Sequence, residues 1–544
     1  MGRVLAIGLD GYSEELFDEM MASGDLPNLA ALRDQSARVR LDHGPAQRSG
    51  LGWEQISTGL SPDDSGHHTA VHFHTDSYRV THESARNAPF PASMKARTVV
   101  FDVPYFDLAR AANVEGVVCW GSHDPGIPPL SRPAGVFAEL DQRVGEYSAP
   151  DWTYGFAWPS EDRCRQMGGA LVKAVEQRCD AALWLFDERL PDWELGILVV
   201  GELHGAFEGL WHGIDPEHPL ASVASAEAAK QALRDIICAA DTLVGRLREA
   251  FPDASIVCFT PHGMGRNTSD VSSMVLLPEL MCRSEAGKTL LPAGVPNREI
   301  ADGIPLLKAD ESWAPAVRIP AGRRVRMATR QMAKRVLGAE SRRLTHRARD
   351  AVVDRLTGTS GRPLDWMVAT RYIPYWSRMR AFALPSFYDG RIRINLKGRE
   401  ARGLVEPNDY EEELNRVISL VEKCRDARTG QPVIGEIERP AHDDPRDLDP
   451  TEADLTFVWK GASLAFEHPD VGMIGPLPFR RTGGHTGGHG FAWFNGNGFV
   501  TGDHGTSSVF DLVPTVIESL GETVPDGLSG SSFDAVLRGP AGEI

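Results

Sequence analysis

Five separated segments carry residues able to hold a metal ion or to attack an electrophile. Gly8-Leu9-Asp10-Gly11 sets a carboxylate at the end of an apolar run, where a glycine turn frees it to reach a cation. Arg48-Ser49-Gly50-Leu51-Gly52-Trp53 places a serine at the expected start of a helix. Free backbone N–H groups and the positive dipole end there suit a hydroxyl that attacks an anionic phosphoryl group. Arg48 beside it is a candidate substrate contact. Gly201-Glu202-Leu203-His204 is followed by Glu208, so His204 and Glu208 stand one helical turn apart, an imidazole and a carboxylate on one face. Thr260-Pro261-His262-Gly263-Met264-Gly265 offers His262 at another strand end. Arg481-Thr482-Gly483-Gly484-His485-Thr486-Gly487-Gly488-His489-Gly490 surrounds two histidines with glycines, as a loop in close approach to a ligand requires. Each segment alone also fits a strand-end Asp, an N-cap Ser or a turn His. The five together, most of them at strand ends, are the signal.

The elements that must position these residues follow from hydrophobic pattern. Short apolar runs at 4–9, 98–103, 114–120, 195–200 and 254–259 read as strands buried on both faces. Long helical patterns at 161–188 and 225–250 lie among them, and Ser13 is a plausible cap for a helix carrying Leu16, Met20 and Met21. This alternation predicts an α/β fold, a three-layer sandwich with a mostly parallel central sheet whose chemistry collects at the carboxyl ends of the strands. The pattern changes after Leu291. Residues 322–356 are Arg-rich and read as a solvated basic helix. Residues 391–396 alternate as a half-exposed strand does, 410–422 read as a helix, and 443–454 as an acidic loop. The expected organisation is a core over 1–290, an inserted cap over 291–449 and a return to the core over 450–544.

With 544 residues and 42% of them hydrophobic, the chain can build a large core. A net charge of -18 argues against a broad surface for a nucleic-acid duplex, though not against a small phosphorylated substrate held by local cations. Seven scattered cysteines without a CxxC pair point to a reducing compartment, and hence the cytoplasm. No stretch is long and apolar enough for a membrane span. Oligomeric state is not encoded in any pattern.

Taken together, Ile7-Gly8-Leu9-Asp10-Gly11 with Gly24-Asp25-Leu26-Pro27-Asn28-Leu29, Thr58-Gly59-Leu60-Ser61-Pro62, His262-Gly263-Met264-Gly265, and Phe510-Asp511-Leu512-Val513-Pro514-Thr515 with Pro525-Asp526-Gly527 and Gly530 resemble the type I phosphodiesterase and nucleotide pyrophosphatase branch of the alkaline phosphatase superfamily. The resemblance implies hydrolysis of phosphate esters or diesters by a Ser or Thr nucleophile between two divalent metal ions, zinc or manganese. It implies Ser49 as nucleophile, nine residues before Thr58. It groups Asp10, Ser49 and His262 on the nucleophile side, and His204, Glu208 and His485 around the second ion. Two departures stand out. The family has Asp and then His four residues later, where this chain has His204 and Glu208. It also has Asp directly before the His at 262, where this chain has Pro261, which offers no ligand. Glu202, two residues before His204 on an extended strand, would be the replacement. His123 and Asp124, after the apolar run 114–120, and Lys397 and Arg399 on the cap are further candidate substrate contacts. A sulfatase is disfavoured because Ser49 is followed by Leu51 and Trp53, not by Pro and Arg. The alternatives are a binding protein with weak or no metal, which Pro261 makes credible, and a phospho- or sulfo-group transferase.

Overall fold

The computed structural model describes residues 2–538 apart from 84, 122–126, 154–159, 292–299, 302, 309–310, 312, 314–316, 318–361 and 365. The Arg-rich segment and the His123-Asp124 pair therefore lie outside the described residues.

Nine strands form the main sheet: β1 (Arg3–Leu9), β2 (Ala37–Asp42), β3 (Thr98–Phe101), β4 (Val114–Val118), β5 (Leu130–Arg132), β6 (Leu195–Val200), β7 (Ala254–His262), β8 (His489–Asn495) and β9 (Gly502–Ser508). Their spatial order is β9-β2-β8-β7-β1-β6-β3-β4-β5. The central five, β7-β1-β6-β3-β4, are mutually parallel, with Leu9 beside Val200 and Gly8 beside Phe259. All five apolar runs of the sequence fall in this parallel block.

Alternate residues of β1 enter opposite cores. Leu5, Ile7 and Leu9 pack with the helices α1 (Glu14–Ser23), α3 (Glu161–Leu183), α4 (Glu202–Leu210) and α5 (Ala226–Ala250). Val4 and Ala6 pack on the other face with Trp53 and Ile56 of α2 (Gly52–Thr58) and with Leu512, Val513 and Val516 of α6 (Leu512–Ser519). Apolar side chains on both faces of one strand demand a layer on each side, which makes the three-layer sandwich. Two glycines set the distances that matter for the site. A Cβ at Gly8 would lie 2.6 Å from the Trp53 ring, so α2 packs directly on β1. At Gly11, φ is +142° and a Cβ would lie 2.9 Å from the Leu203 backbone, so the turn after Asp10 packs on the first turn of α4.

The cap is a second core around an antiparallel four-stranded sheet in the order Ala381–Leu384, Gly390–Ile394, Leu455–Trp459, Ile434–Glu438. It also takes in the hairpin Val71–His74 with Arg79–His82 and the helix Leu277–Ala286, both from the first half of the chain. Leu455–Trp459 pairs with cap strands, and the chain rejoins the main sheet only at His489, not near 450. The expected half-exposed strand at 391–396 is instead buried, because Arg393 is paired internally with Glu400 at 2.8 Å. The helix Tyr410–Glu422 lies where its pattern placed it.

A buried ion cluster ties the layers together at the active edge of the sheet. Arg178 of α3 donates from Nε and Nη2 to Glu202, the first residue of α4, at 2.8 Å each, and reaches Asp102 at 2.9 Å. Asp102, just past β3, accepts from the backbone N–H groups of Trp120 and Gly121 at 2.7 and 2.8 Å. All three ionic side chains are fully shielded from solvent. Removing Arg178 would leave two buried carboxylates uncompensated. Arg178→Met is therefore expected to lower stability by about 3–5 kcal/mol, read from urea denaturation at pH 7. A change under about 1 kcal/mol would contradict this role.

Candidate active site

Asp10 leaves β1 into the Gly11 turn and is buried. Its Oδ1 lies 3.5 Å from Nδ1 of His204, on the first turn of α4. The opposite nitrogen of the same ring, Nε2, lies 3.1 Å from Oε1 of Glu208, one turn further on. His485 arrives on a loop held by the short antiparallel pairing of Gly265–Arg266 with Gly483–Gly484. Its ring centroid is 5.0 Å from that of His204 and 4.5 Å from that of His262. One ligand atom each from His204, Glu208 and His485 can be chosen so that all lie within 4.8 Å of one another.

His262 closes β7, and its ring is fully enclosed. Its Nδ1 is 3.3 Å from the Gly263 carbonyl oxygen and its Nε2 is 3.0 Å from Nδ1 of His485. On its other side, with centroids 5.6 Å apart and ring planes 19° from parallel, stacks His43, which follows β2. Burial pushes His262 down to about 3 and His43 down to about 4, so both rings are neutral at physiological pH. His43 Nε2 is 2.5 Å from Oε1 of Gln55, and an amide oxygen only accepts, so this nitrogen carries the proton. Gln55 in turn donates from Nε2 to Oγ of Ser49 at 2.9 Å. Ser49 also accepts from the Leu51 N–H at 3.1 Å and donates to the Ala46 carbonyl at 2.7 Å. Ser49 ends the 3-10 turn Gly44–Ser49, and α2 begins three residues later at Gly52.

Glu208 is in contact with the Arg481 guanidinium. Arg481 also forks onto Asp270 through Nε at 2.6 Å and Nη2 at 2.8 Å, and Arg480 shares Asp270 at 2.7 Å. Burial raises Asp270 above the ordinary carboxylate value despite its arginine partners. Tyr388 from the cap stands edge-on to His485 at 4.9 Å and 5.7 Å from the Arg481 guanidinium carbon. It also lies against Gly50, where a Cβ would meet its ring at 3.0 Å.

Asp10, His204, Glu208, His262 and His485 thus meet, and Ser49 is joined to them through Gln55 and His43. Other expected residues do not join them. Glu202 opens a helix instead of continuing a strand, so two residues no longer means the same face. Both its oxygens are taken by Arg178. Arg48 is paired with Glu438 of the cap sheet. Lys397 is an exposed partner of Glu406, and Arg399 is buried between Asp454 and Glu400. His67 of the His-rich stretch is buried on Glu54 at 2.7 Å and His72 is paired with Glu83 at 3.0 Å. His43, Gln55 and Tyr388 were absent from the sequence candidates, and Arg481 was seen only as part of a glycine loop.

Two nitrogens and a carboxylate oxygen are a donor set that suits zinc and admits manganese, so His204, Glu208 and His485 fit one divalent ion. The set of Asp10, Ser49 and His262 does not fit a second as well. Pro261 supplies no donor, Glu202 is engaged elsewhere, and His262 Nε2 is hydrogen-bonded to His485.

The family model for type I phosphodiesterase / nucleotide pyrophosphatase matches residues 4–364. The chain belongs to that family. The matched span holds Asp10, Ser49, His204, Glu208 and His262, while Arg481 and His485 lie beyond it. No curated protein sequence matches the chain. Among solved structures, human ectonucleotide pyrophosphatase / phosphodiesterase 5 is similar at 10% identity, with 97% of each chain covered and a TM-score of 0.47. Phosphonoacetate hydrolase from Sinorhizobium meliloti 1021 is similar at 11% identity, with 94% of each chain covered and a TM-score of 0.44. The murine phosphodiesterase 5 gives 10% identity, 96% coverage of each chain and 0.44.

The buried histidines of this phosphodiesterase-family chain set its acid response. Besides His43 and His262, burial holds His212 at about 4 and His218 at about 3. Unfolded histidines titrate near 6.5, so below that pH the unfolded chain binds more protons and stability falls. The stabilisation is complete above about pH 6.5 and is lost as pH drops toward 4. The urea midpoint of chelator-treated protein should fall between pH 7 and pH 5, above the range of most carboxylates. An unchanged or higher midpoint at pH 5 would contradict it.

Proposed function

We propose that this chain hydrolyses small phosphate esters, phosphodiesters foremost, with Ser49 as nucleophile beside a divalent ion held by His204, Glu208 and His485. The observation that carries this reading is the linkage of Ser49, through Gln55 and His43, to the histidine–carboxylate cluster at the carboxyl edge of the parallel strands. Zinc or manganese bound there would supply Lewis-acid polarisation of a phosphoryl oxygen.

The chain's own groups prepare the nucleophile. Two N–H donors, from Leu51 and Gln55, point at Ser49 Oγ, and donors favour the negative charge that this oxygen gains on losing its proton. The His43 N–H holds the Gln55 oxygen and so turns the amide nitrogen toward Ser49. Tyr388 closes the space over Gly50 and His485 from the cap side. Local cations, not the acidic surface as a whole, would meet the substrate. No helix among the described residues is long and apolar enough to cross a membrane. None of the seven cysteines is in a disulfide, as a cytoplasmic protein would keep them.

A non-catalytic binding protein is the second reading, favoured by Pro261. One assay separates the two. Ser49→Ala, with circular dichroism unchanged, is expected to lower turnover of bis-p-nitrophenyl phosphate in zinc or manganese by on the order of 10³-fold or more. Turnover equal to wild type would remove Ser49 as nucleophile, and no turnover by wild type would favour binding.

A further inference from the structure

We propose that this chain holds one divalent cation, where its family resemblance implies two, and that the buried Arg481 guanidinium takes the place of the second positive charge. The inference rests on the phosphoester reading above for its substrate, but its test counts ions.

Hydrogen-bond direction gives the first support. A carbonyl oxygen only accepts, so the contact of His262 Nδ1 with Gly263 O puts the proton on Nδ1. His262 Nε2 then accepts, and His485 Nδ1 must donate to it. The nitrogen left to His485 for a metal is Nε2. His262 becomes the partner that fixes the tautomer and orientation of a ligand, a role that a second-layer residue of a metal site plays. On the neighbouring ring, Nδ1 of His204 lies 3.5 Å from Asp10 Oδ1, while Nε2 faces Glu208 at 3.1 Å.

Charge gives the second support. Arg481 is buried against Glu208 and held rigidly by the Asp270 fork, four residues before His485 on the same loop. Asp10, Glu208 and Asp270 are opposed by Arg480 and Arg481, which leaves one negative charge in a buried cluster. One divalent ion and one singly charged phosphodiester bring it to neutrality. A second divalent ion would leave two uncompensated positive charges out of water, which is costly. A planar guanidinium carries its charge permanently and fits the Asp270 fork, so this positive charge needs no metal ligands to hold it.

The test uses the full chain, stripped with chelator and titrated with Mn²⁺ under electron paramagnetic resonance, with zinc content measured in parallel. The expected result is one equivalent bound, with the spectrum of an isolated ion and no exchange coupling. His485→Ala and Glu208→Gln should both bind under about a tenth of an equivalent; the His485 variant, in a part-buried loop, guards against misfolding of the other. Arg481→Met should tighten Mn²⁺ about tenfold or more, because Glu208 loses its competing cation. Two equivalents, or a coupled spectrum, would overturn the inference and leave the hydrolase reading standing. No bound ion together with no phosphodiester turnover would overturn both. Unchanged affinity in a folded Arg481→Met would remove Arg481 from the account.

Discussion

His262 and His485 are 223 residues apart in sequence, yet their imidazoles share a 3.0 Å hydrogen bond inside a shielded pocket. Two imidazole nitrogens can do this only if one donates and the other accepts, so the contact couples the proton placement of the two rings. It requires β7 to deliver His262 at the edge of the sheet. It also requires the 481–489 loop to fold back over that edge, which the Gly265–Arg266 pairing with Gly483–Gly484 and the close approach of Gly487 to Gly263 enforce. Around this bond the other groups take their places. His43 stacks behind His262 and leads to Ser49, while His204 and Glu208 stand in front of His485.

Two buried arginines divide the electrostatic work. Arg178 bridges Asp102 and Glu202, and so locks the carboxyl ends of β3 and β4 and the start of α4 into a rigid frame. Arg481 does the same for Glu208 and Asp270, but at the mouth of the histidine cluster. The first cluster is fully paired and structural. The second shares a carboxylate with the donor set that fits a metal ion, so any ion there must compete or cooperate with a fixed cation. His43 and His262, kept neutral by burial, add no positive charge beside it.

The frame was legible in the sequence because strands buried on both faces read as continuous apolar runs, and β1, β3, β4, β6 and β7 all do. The outer strands β2 and β9 carry charged or polar residues and gave no such signal. Asp10, His204 and His262 were legible for the same reason as the frame, since they end strands or open the elements after them, whereas Glu208 stood out by its one-turn spacing from His204 and His485 by the glycines around it. Glu202 was misplaced because residues 202–204, read as extended, form the first turn of α4, and the helix turned its side chain toward Arg178. Lys397 and Arg399 looked like substrate cations because sequence shows a charge but not its partner. His43, Gln55 and Tyr388 could not be found this way. Their roles arise from contacts across the fold, and nothing in their neighbours marks them.

The proposed metal centre of this phosphodiesterase-family chain is His204, Glu208 and His485. Crystals grown with zinc and measured at the zinc absorption edge test it directly. A single strong anomalous peak is expected, bonded to these three side chains at about 2.0–2.2 Å, with His262 hydrogen-bonded to His485 and not bound to the ion. A peak bonded to Asp10, Ser49 and His262 instead, or no peak within the pocket, would contradict it.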